Sequence, residues 1–150
     1  MMLRLYSPID LPMLLRIENA VHETPWTEET FTICLNAGCA GWVIELNAKI
    51  IGFIICGMQT GECHILNLCV DTPYQHQGWG RKLLTIALQI ATQAKMGIAY
   101  LEVRRSNKKA IALYQKFNFK QIGERKNYYP STDINKAEDA LIFAKSLVVD

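Results

Sequence analysis

Asp71-Thr72-Pro73-Tyr74-Gln75-His76-Gln77-Gly78-Trp79-Gly80-Arg81 places two glycines and an arginine where an apolar strand gives way to a helical pattern. Glycines at a helix start let the backbone approach a ligand without Cβ interference, and the first helical N–H groups have no internal partner. Those donors, the positive end of the helix dipole and Arg81 suit an anion the size of a pyrophosphate. The residues alone leave open a second reading, an ordinary loop-to-helix junction whose glycines only serve a tight turn. Two other nucleotide motifs fit less well. A P-loop needs Gly-Lys-Ser/Thr, which is absent. A dinucleotide fingerprint has glycines directly after the strand and a third Gly three residues on, where this chain has Leu83.

Glu102 and Tyr114 are the candidates for proton transfer. In Tyr100-Leu101-Glu102-Val103-Arg104 strand alternation sets Glu102 opposite its apolar neighbours. A carboxylate there is either a salt-bridge partner for Arg104 or Arg125, or a general base aimed at a substrate proton, through water or directly. Tyr114 lies at helical spacing among Ile111, Leu113 and Phe117, which is core spacing, yet a phenol can also serve a leaving group.

The run Gln75-x-x-Gly78-x-Gly80 resembles the coenzyme A loop of the GNAT (GCN5-related N-acetyltransferase) family. Leu101-Glu102-Val103-Arg104-Arg105-Ser106-Asn107 followed by Ala110-Ile111-Ala112-Leu113-Tyr114 is similar to that family's next strand and helix. Pro25-Trp26 and Arg125-x-Asn127-Tyr128-Tyr129-Pro130 extend the resemblance to the bacterial ribosomal-protein-alanine acetyltransferase branch, over nearly the whole chain. The resemblance implies acetyl-CoA as co-substrate and direct transfer in a ternary complex, with Glu102 as proton acceptor and Tyr114 beside the leaving thiolate. It implies coenzyme contacts from Leu68, Cys69, Val70, His76, Gln77, Gly78, Trp79, Gly80, Arg81 and Asn107. It also suggests as acceptor the N-terminal alanine of ribosomal protein eighteen of the small subunit, bound by Trp26, Tyr128 and Tyr129. Other acceptors, a lysine or a small amine, and a non-catalytic acyl-CoA-binding module stay open. The family's Gly in Tyr-x-x-x-Gly-Phe is Asn118 here, and Asn also tolerates the left-handed conformation of a helix end.

The elements that must position these residues read as follows. Leu3 to Tyr6 is a strand, and Asp10 is expected to cap a helix over Leu11 to Val21. Thr27 caps a second helix, Glu28 to Asn36. Trp42–Leu46 and Ile50–Met58 read as a hairpin around Asn47-Ala48-Lys49, with Glu62–Val70 adjoining it. Apolar residues at 83, 84, 87, 88, 90, 91 and 94 predict a helix from Trp79 to Lys95, ended by Gly97. Through that crossover, Ile98–Val103 should run parallel to the strand before. Ser106 or Asn107 caps a helix burying Ala110, Ile111, Leu113, Tyr114 and Phe117. Phe119–Lys126 and Ala140–Ala144 finish as strands around a polar loop, Pro130 to Glu138. This order implies an α/β (α+β layered) domain; the family resemblance implies more, a mixed, mostly antiparallel sheet with a β-α-β acetyl-CoA-binding core and flanking helices.

Composition narrows the class further. The 150 residues suit a single domain, half of them hydrophobic and 20% charged, as in a soluble enzyme. A net charge of +2 gives no argument for nucleic acid. Arg4, Asp10, Arg16 and Glu18 interrupt the N-terminal segment, so neither a signal peptide nor a membrane span is expected, and the chain is expected to be cytoplasmic. Five cysteines (34, 39, 56, 63 and 69) form no C-x-x-C pair, and Cys63-His64 alternates across a strand; reduced thiols and no metal are expected.

Overall fold

The computed structural model describes residues 1–129 and 137–148. The chain runs through β1 (Met2–Leu5), α1 (Leu11–Val21), α2 (Glu28–Asn36), β2 (Ala40–Leu46), β3 (Lys49–Gln59) and β4 (Glu62–Val70). It continues through α3 (Trp79–Gln93), β5 (Ile98–Arg104), α4 (Lys108–Lys116), β6 (Lys120–Tyr129) and β7 (Glu138–Ser146). The described strands form one sheet in the order β1-β2-β3-β4-β5-β7-β6. Only β4 and β5 pair in parallel, joined by the α3 crossover; the other described pairings are antiparallel. The element order implied an α/β layered domain and the resemblance a mixed, mostly antiparallel sheet, and the structure has both.

Helices cover both faces. Leu83, Leu84, Ala87, Leu88 and Ala91 of α3 pack with Tyr114 of α4 against Ile44, Ile54, Leu101 and Val103. On the opposite face Leu14 and Ile17 of α1 and Phe31 of α2 pack against Val43, Phe53, Ile55 and Cys69. Residues 50–56 of β3 are buried throughout because the strand carries a helical layer on each side.

Local chemistry explains most element ends. Asn47 (φ 53°) and Ala48 (φ 63°) make the hairpin turn between β2 and β3. Thr27 caps α2 by accepting from the Thr30 N–H, and Asn107 caps α4 by accepting from the Ala110 N–H. Asn118 takes the left-handed conformation (φ 67°) expected where the family has glycine.

Four boundaries differ from expectation. Asp10 does not cap α1: it closes a short 3-10 turn from Pro8, and its carboxylate accepts from Arg4 Nη1 and Nη2 and from the Ser7 N–H. That bidentate pair holds the Asp10 carboxyl below its ordinary range, with the Arg4 hydrogen bond as first cause. The helix α3 stops at Gln93 because Lys95, not Gly97, adopts the left-handed conformation (φ 64°). The strand β6 extends to Tyr129, so the tyrosine pair lies on a strand end. The strand β7 spans Glu138–Ser146 and inserts between β5 and β6; of the expected polar loop, residues 130–136 lie outside the described residues, as does Pro130 of the motif.

Candidate active site

Parallel pairing between β4 and β5 covers only Glu62–Ile65 against Ile98–Leu101. Beyond it the strands diverge, and residues 66–70 of β4 and 101–104 of β5 line a cleft of about 1010 Å³. The β4 edge remains bonded to β3 as far as Val70 opposite Gly52. Its other edge faces the cleft from residue 66 onward, an edge along which an extended, amide-bearing ligand can pair.

A bulge sets which side chains accompany that edge. Ile55 pairs with Asn67 but Cys56 pairs with Ile65, so Leu66 is the extra residue. One inserted residue reverses strand alternation. Ile65, Leu68 and Val70 therefore pack toward α3 and α4, while Cys69 packs toward α1. The thiol of Cys69 lies 3.9 Å from the Ile17 carbonyl oxygen and is pushed well above its ordinary pKa, by burial first and then by Glu18 and Asp71.

The loop that follows is tied at both ends. Buried Asp71 accepts from the Thr72 N–H and, at 2.7 Å, from Arg16 of α1. Gln75, the first residue of the glycine motif, returns its Nε2 to the Val70 carbonyl at 2.9 Å. Gly78 then takes φ +89°, a left-handed conformation that favours glycine, and α3 starts with no side-chain cap. His76, Gly78, Trp79, Gly80 and Arg81 all line the cleft, so uncapped first-turn N–H groups and a guanidinium share one wall. A Cβ on Gly80 would meet Leu113 Cδ2 at 3.7 Å and Val70 Cγ2 at 3.9 Å, which is ordinary contact; the backbone need for glycine is at Gly78. Gln77 departs from expectation: it stands outside the cleft lining, its Nε2 3.3 Å from the Pro73 carbonyl. His76 meets Lys109 of α4 at 3.2 Å, and Trp79 lies under the Lys82 ammonium.

Tyr114 and Glu102 approach the cleft from opposite faces of the sheet. Tyr114 is 8% exposed, edge-on to Phe119 at 5.9 Å, and burial pushes its phenol up. Asn107 lines the same side. Glu102, 30% exposed, faces away from the buried Leu101 and Val103 and forms an ion pair with Arg125, its Oε1 3.2 Å from Nε. The salt-bridge reading of Glu102 is thus realised in geometry, with Arg125 as partner; Arg104 pairs with Glu138 at 3.4 Å instead.

Aromatic groups surround Glu102. The Tyr128 phenol is raised by burial first and then by the charge and hydrogen bond of Glu102. Tyr129, pushed up to about 12 by burial and then by Glu102, stacks under Arg104 at 4.4 Å and lies 5.1 Å from Tyr128. Tyr129 and Trp26 line the cleft; Tyr128 does not, and its ring lies beneath the Arg125 guanidinium at 5.3 Å. Trp26 packs edge-on against Phe31 at 5.1 Å. Arg104 also donates to Thr24 Oγ1, joining β5 to the α1–α2 connection.

Glu18, His22 and Asn67 also line this cleft, and the sequence reading did not single them out. A signal was there: Glu18 occupies a core position of the α1 stripe Leu14, Ile17, Val21. One donor atom each from Glu18, His22 and Cys69 lies within 4.8 Å of the others, a juxtaposition that no local spacing announces.

Strand divergence thus opens a cleft with an uncapped helix start on one wall and a carboxylate on the other, an arrangement suited to an anionic, amide-bearing ligand beside a proton acceptor. The chain matches the Acetyltransferase (GNAT) family over residues 11–119 and belongs to it. It is an N-acetyltransferase with acetyl-CoA as co-substrate. Among its relatives, the ribosomal protein bS18-alanine N-acetyltransferase of Escherichia coli strain K12 is 38% identical over 135 residues, 90% of each chain. The Haemophilus ducreyi protein of the same name is 37% identical over 90% of this chain and 92% of its own. The crystal structure of the ribosomal-protein-S18-alanine N-acetyltransferase from Escherichia coli matches with a TM-score of 0.92 at 34% identity, covering 99% of this chain and 95% of that one. The NatC complex bound to Gag peptide and CoA shares the fold, with a TM-score of 0.82 at 20% identity, covering 99% of this chain and 100% of that one.

Proposed function

We propose that this enzyme acetylates a protein N-terminal α-amine, and that its acceptor is the N-terminal alanine of the small-subunit ribosomal protein bS18. The relatives that carry this activity in their names, matched over 90% of both chains, support the acceptor. The observation that carries the chemistry is the placement of Glu102 and Tyr114 on opposite faces of one opening through the sheet. Acetyl-CoA would enter along the α3 and α4 side, with its pyrophosphate at the helix start of Gly78 to Arg81 and its pantetheine along Leu68 to Val70. The acceptor would enter past Trp26 and Tyr129.

In the reaction the amine nitrogen attacks the thioester carbonyl carbon and the carbon–sulfur bond breaks. The amine proton passes to Glu102, through water where the reach is long, and the Tyr114 hydroxyl donates to the leaving sulfur. The free β4 edge offers N–H donors to the developing oxyanion. An α-amine has a pKa of about 8 against about 10.4 for lysine, so a neutral nucleophile forms near pH 7 with little help. A phenol held above its ordinary pKa stays protonated at that pH and remains able to donate.

Turnover of acetyl-CoA against peptides beginning with Ala, Ser or Met, and against an N-blocked peptide with an internal Lys, tests the acceptor. The expected result is selective turnover of the Ala peptide carrying the ribosomal sequence. Preference for the lysine peptide would replace the acceptor, and coenzyme binding without turnover of any amine would overturn the catalytic roles.

A further inference from the structure

Glu18 is 1% exposed, and a carboxylate so far from water is costly unless its oxygens are paired. Its partners come from two separate pieces of the cleft wall. Oε2 accepts from the Trp26 backbone N–H at 2.9 Å, in the connection between α1 and α2. Oε1 accepts from Asn67 Nδ2 at 3.0 Å, one residue beyond the bulged Leu66 of β4. His22 Nε2 lies 3.4 Å from the same Oε1. The nearness of His22 and Cys69 resembles a metal-ligand set, but both Glu18 oxygens already hold N–H donors, which is how a carboxylate that ties backbone together is used.

We propose that Glu18 is a positioning residue, a latch that holds the Trp26 segment against the β4 bulge and so fixes the wall along which the acceptor lies. Trp26 also packs on Phe31, yet ring contacts tolerate sliding, whereas a hydrogen bond to a backbone N–H fixes where the segment sits. Asn67 can reach α1 only because the extra residue Leu66 reverses alternation in β4, so bulge and latch form one device. The acceptor role rests on the peptide reading above; the latch geometry does not.

The test exchanges the polarity of the pair. Asn67→Asp sets two carboxylates at hydrogen-bond distance, and they must separate or share a proton. It should raise the peptide KM about tenfold or more, as expected when a buried polar contact is broken, while acetyl-CoA affinity changes little. Adding Glu18→Gln restores a matched pair, because the introduced amide donates to the introduced carboxylate while its oxygen still accepts from the Trp26 N–H. The double variant should return to within about threefold of wild type, the rescue that a double-mutant cycle reads as direct coupling. Glu18→Gln alone should be mild, since the Asn67 amide can turn over. Glu18→Ala leaves the Trp26 N–H without its acceptor and should also raise the peptide KM. Hydrogen exchange at the Trp26 amide should track the same series without any substrate: slow in wild type and the double variant, fast in Asn67→Asp and Glu18→Ala.

Wild-type KM and Trp26 protection in Asn67→Asp and Glu18→Ala would overturn the latch. A double variant no better than Asn67→Asp would overturn it too, as would fast exchange at Trp26 with an unchanged KM. A wild-type enzyme that ignores every N-terminal peptide would overturn the acceptor assignment instead. The variants would then be read on the amine that it does accept, with Trp26 exchange deciding the geometry.

Discussion

The two walls of the cleft are built from different materials. The wall of residues 75–81 and the start of α3 presents backbone: uncapped N–H groups, a left-handed glycine and a free strand edge. The wall formed by the α1–α2 connection, β5 and the end of β6 presents side chains held in pairs, Glu18 with Trp26 and Asn67, Glu102 with Arg125, Arg104 with Tyr129. The first suits a co-substrate that never changes, since backbone geometry is indifferent to neighbouring side-chain substitutions. The second suits an acceptor whose sequence must be read. Side chains supply that discrimination, at the cost of depending on contacts far apart in the chain.

The sharpest break in this comparison comes from Tyr114, which stands on the backbone-built side yet is proposed to act by its hydroxyl. Tyr114→Phe should lower kcat about a hundredfold or more, roughly 3 kcal/mol in the barrier, as expected on loss of general-acid help. Its thermal midpoint should move far less, because the ring stays against Phe119. A variant with normal turnover sinks the assignment.

Glu102→Gln should come next, slowing turnover at pH 7 about tenfold or more with partial recovery as pH rises toward 9 and the free α-amine accumulates. Acetyl-CoA affinity should be nearly unchanged, which calorimetry can check. Activity that is flat across pH and near wild type would leave Glu102 as the partner of Arg125 alone.

Gly78→Ala probes the backbone wall directly. A Cβ at Gly78 would meet nothing within 4 Å, so space is not the obstacle; φ +89° is. Forcing an L-residue there costs on the order of 1–2 kcal/mol, and acetyl-CoA affinity should weaken up to about tenfold while the peptide KM holds. An unchanged affinity would remove the loop conformation from the binding site. The smallest effect is expected from Cys69→Ala, whose thiol is buried against Ile17 with its pKa raised. Direct transfer needs no enzyme thiol, so this variant should turn over like wild type; a folded, coenzyme-competent but inactive protein would demand an acetyl-cysteine step.

The same contrast explains what could be read from the sequence. The glycine loop before α3 was legible as a conformation because its signal is contiguous: Gln75, Gly78 and Gly80 stand within six residues, and the left-handed Gly78 is a local requirement. So were the Asn47-Ala48 hairpin and the Thr27 and Asn107 caps, each decided by bonds spanning a few residues. Asp10 was misread because its carboxylate is claimed by Arg4, which also holds Glu45 from another strand; a local capping rule cannot weigh that competitor. The parallel pairing of β4 and β5 was legible, but its stopping point at Ile65 and Leu101 was not, since the divergence follows a bulge that only the β3 register defines. Glu18 escaped for a similar reason. Its partner Asn67 is 49 residues away, and only burial shows that an acid on the α1 stripe has a task.

The position of β7 between β5 and β6 has a consequence for the order in which the enzyme becomes whole. In the described sheet β6 pairs only with β7, so the strand carrying Arg125, Tyr128 and Tyr129 is synthesised before the strand that will seat it. On a growing chain, where earlier segments can organise first, the glycine-loop wall within residues 62–116 emerges while the tyrosine pair still lacks its neighbour. Seating of the tyrosine pair is therefore the last step of assembly. A chain arrested before residue 138 would carry the whole glycine loop, both proposed catalytic residues and the Glu18 latch, but no strand to seat Arg125, Tyr128 and Tyr129.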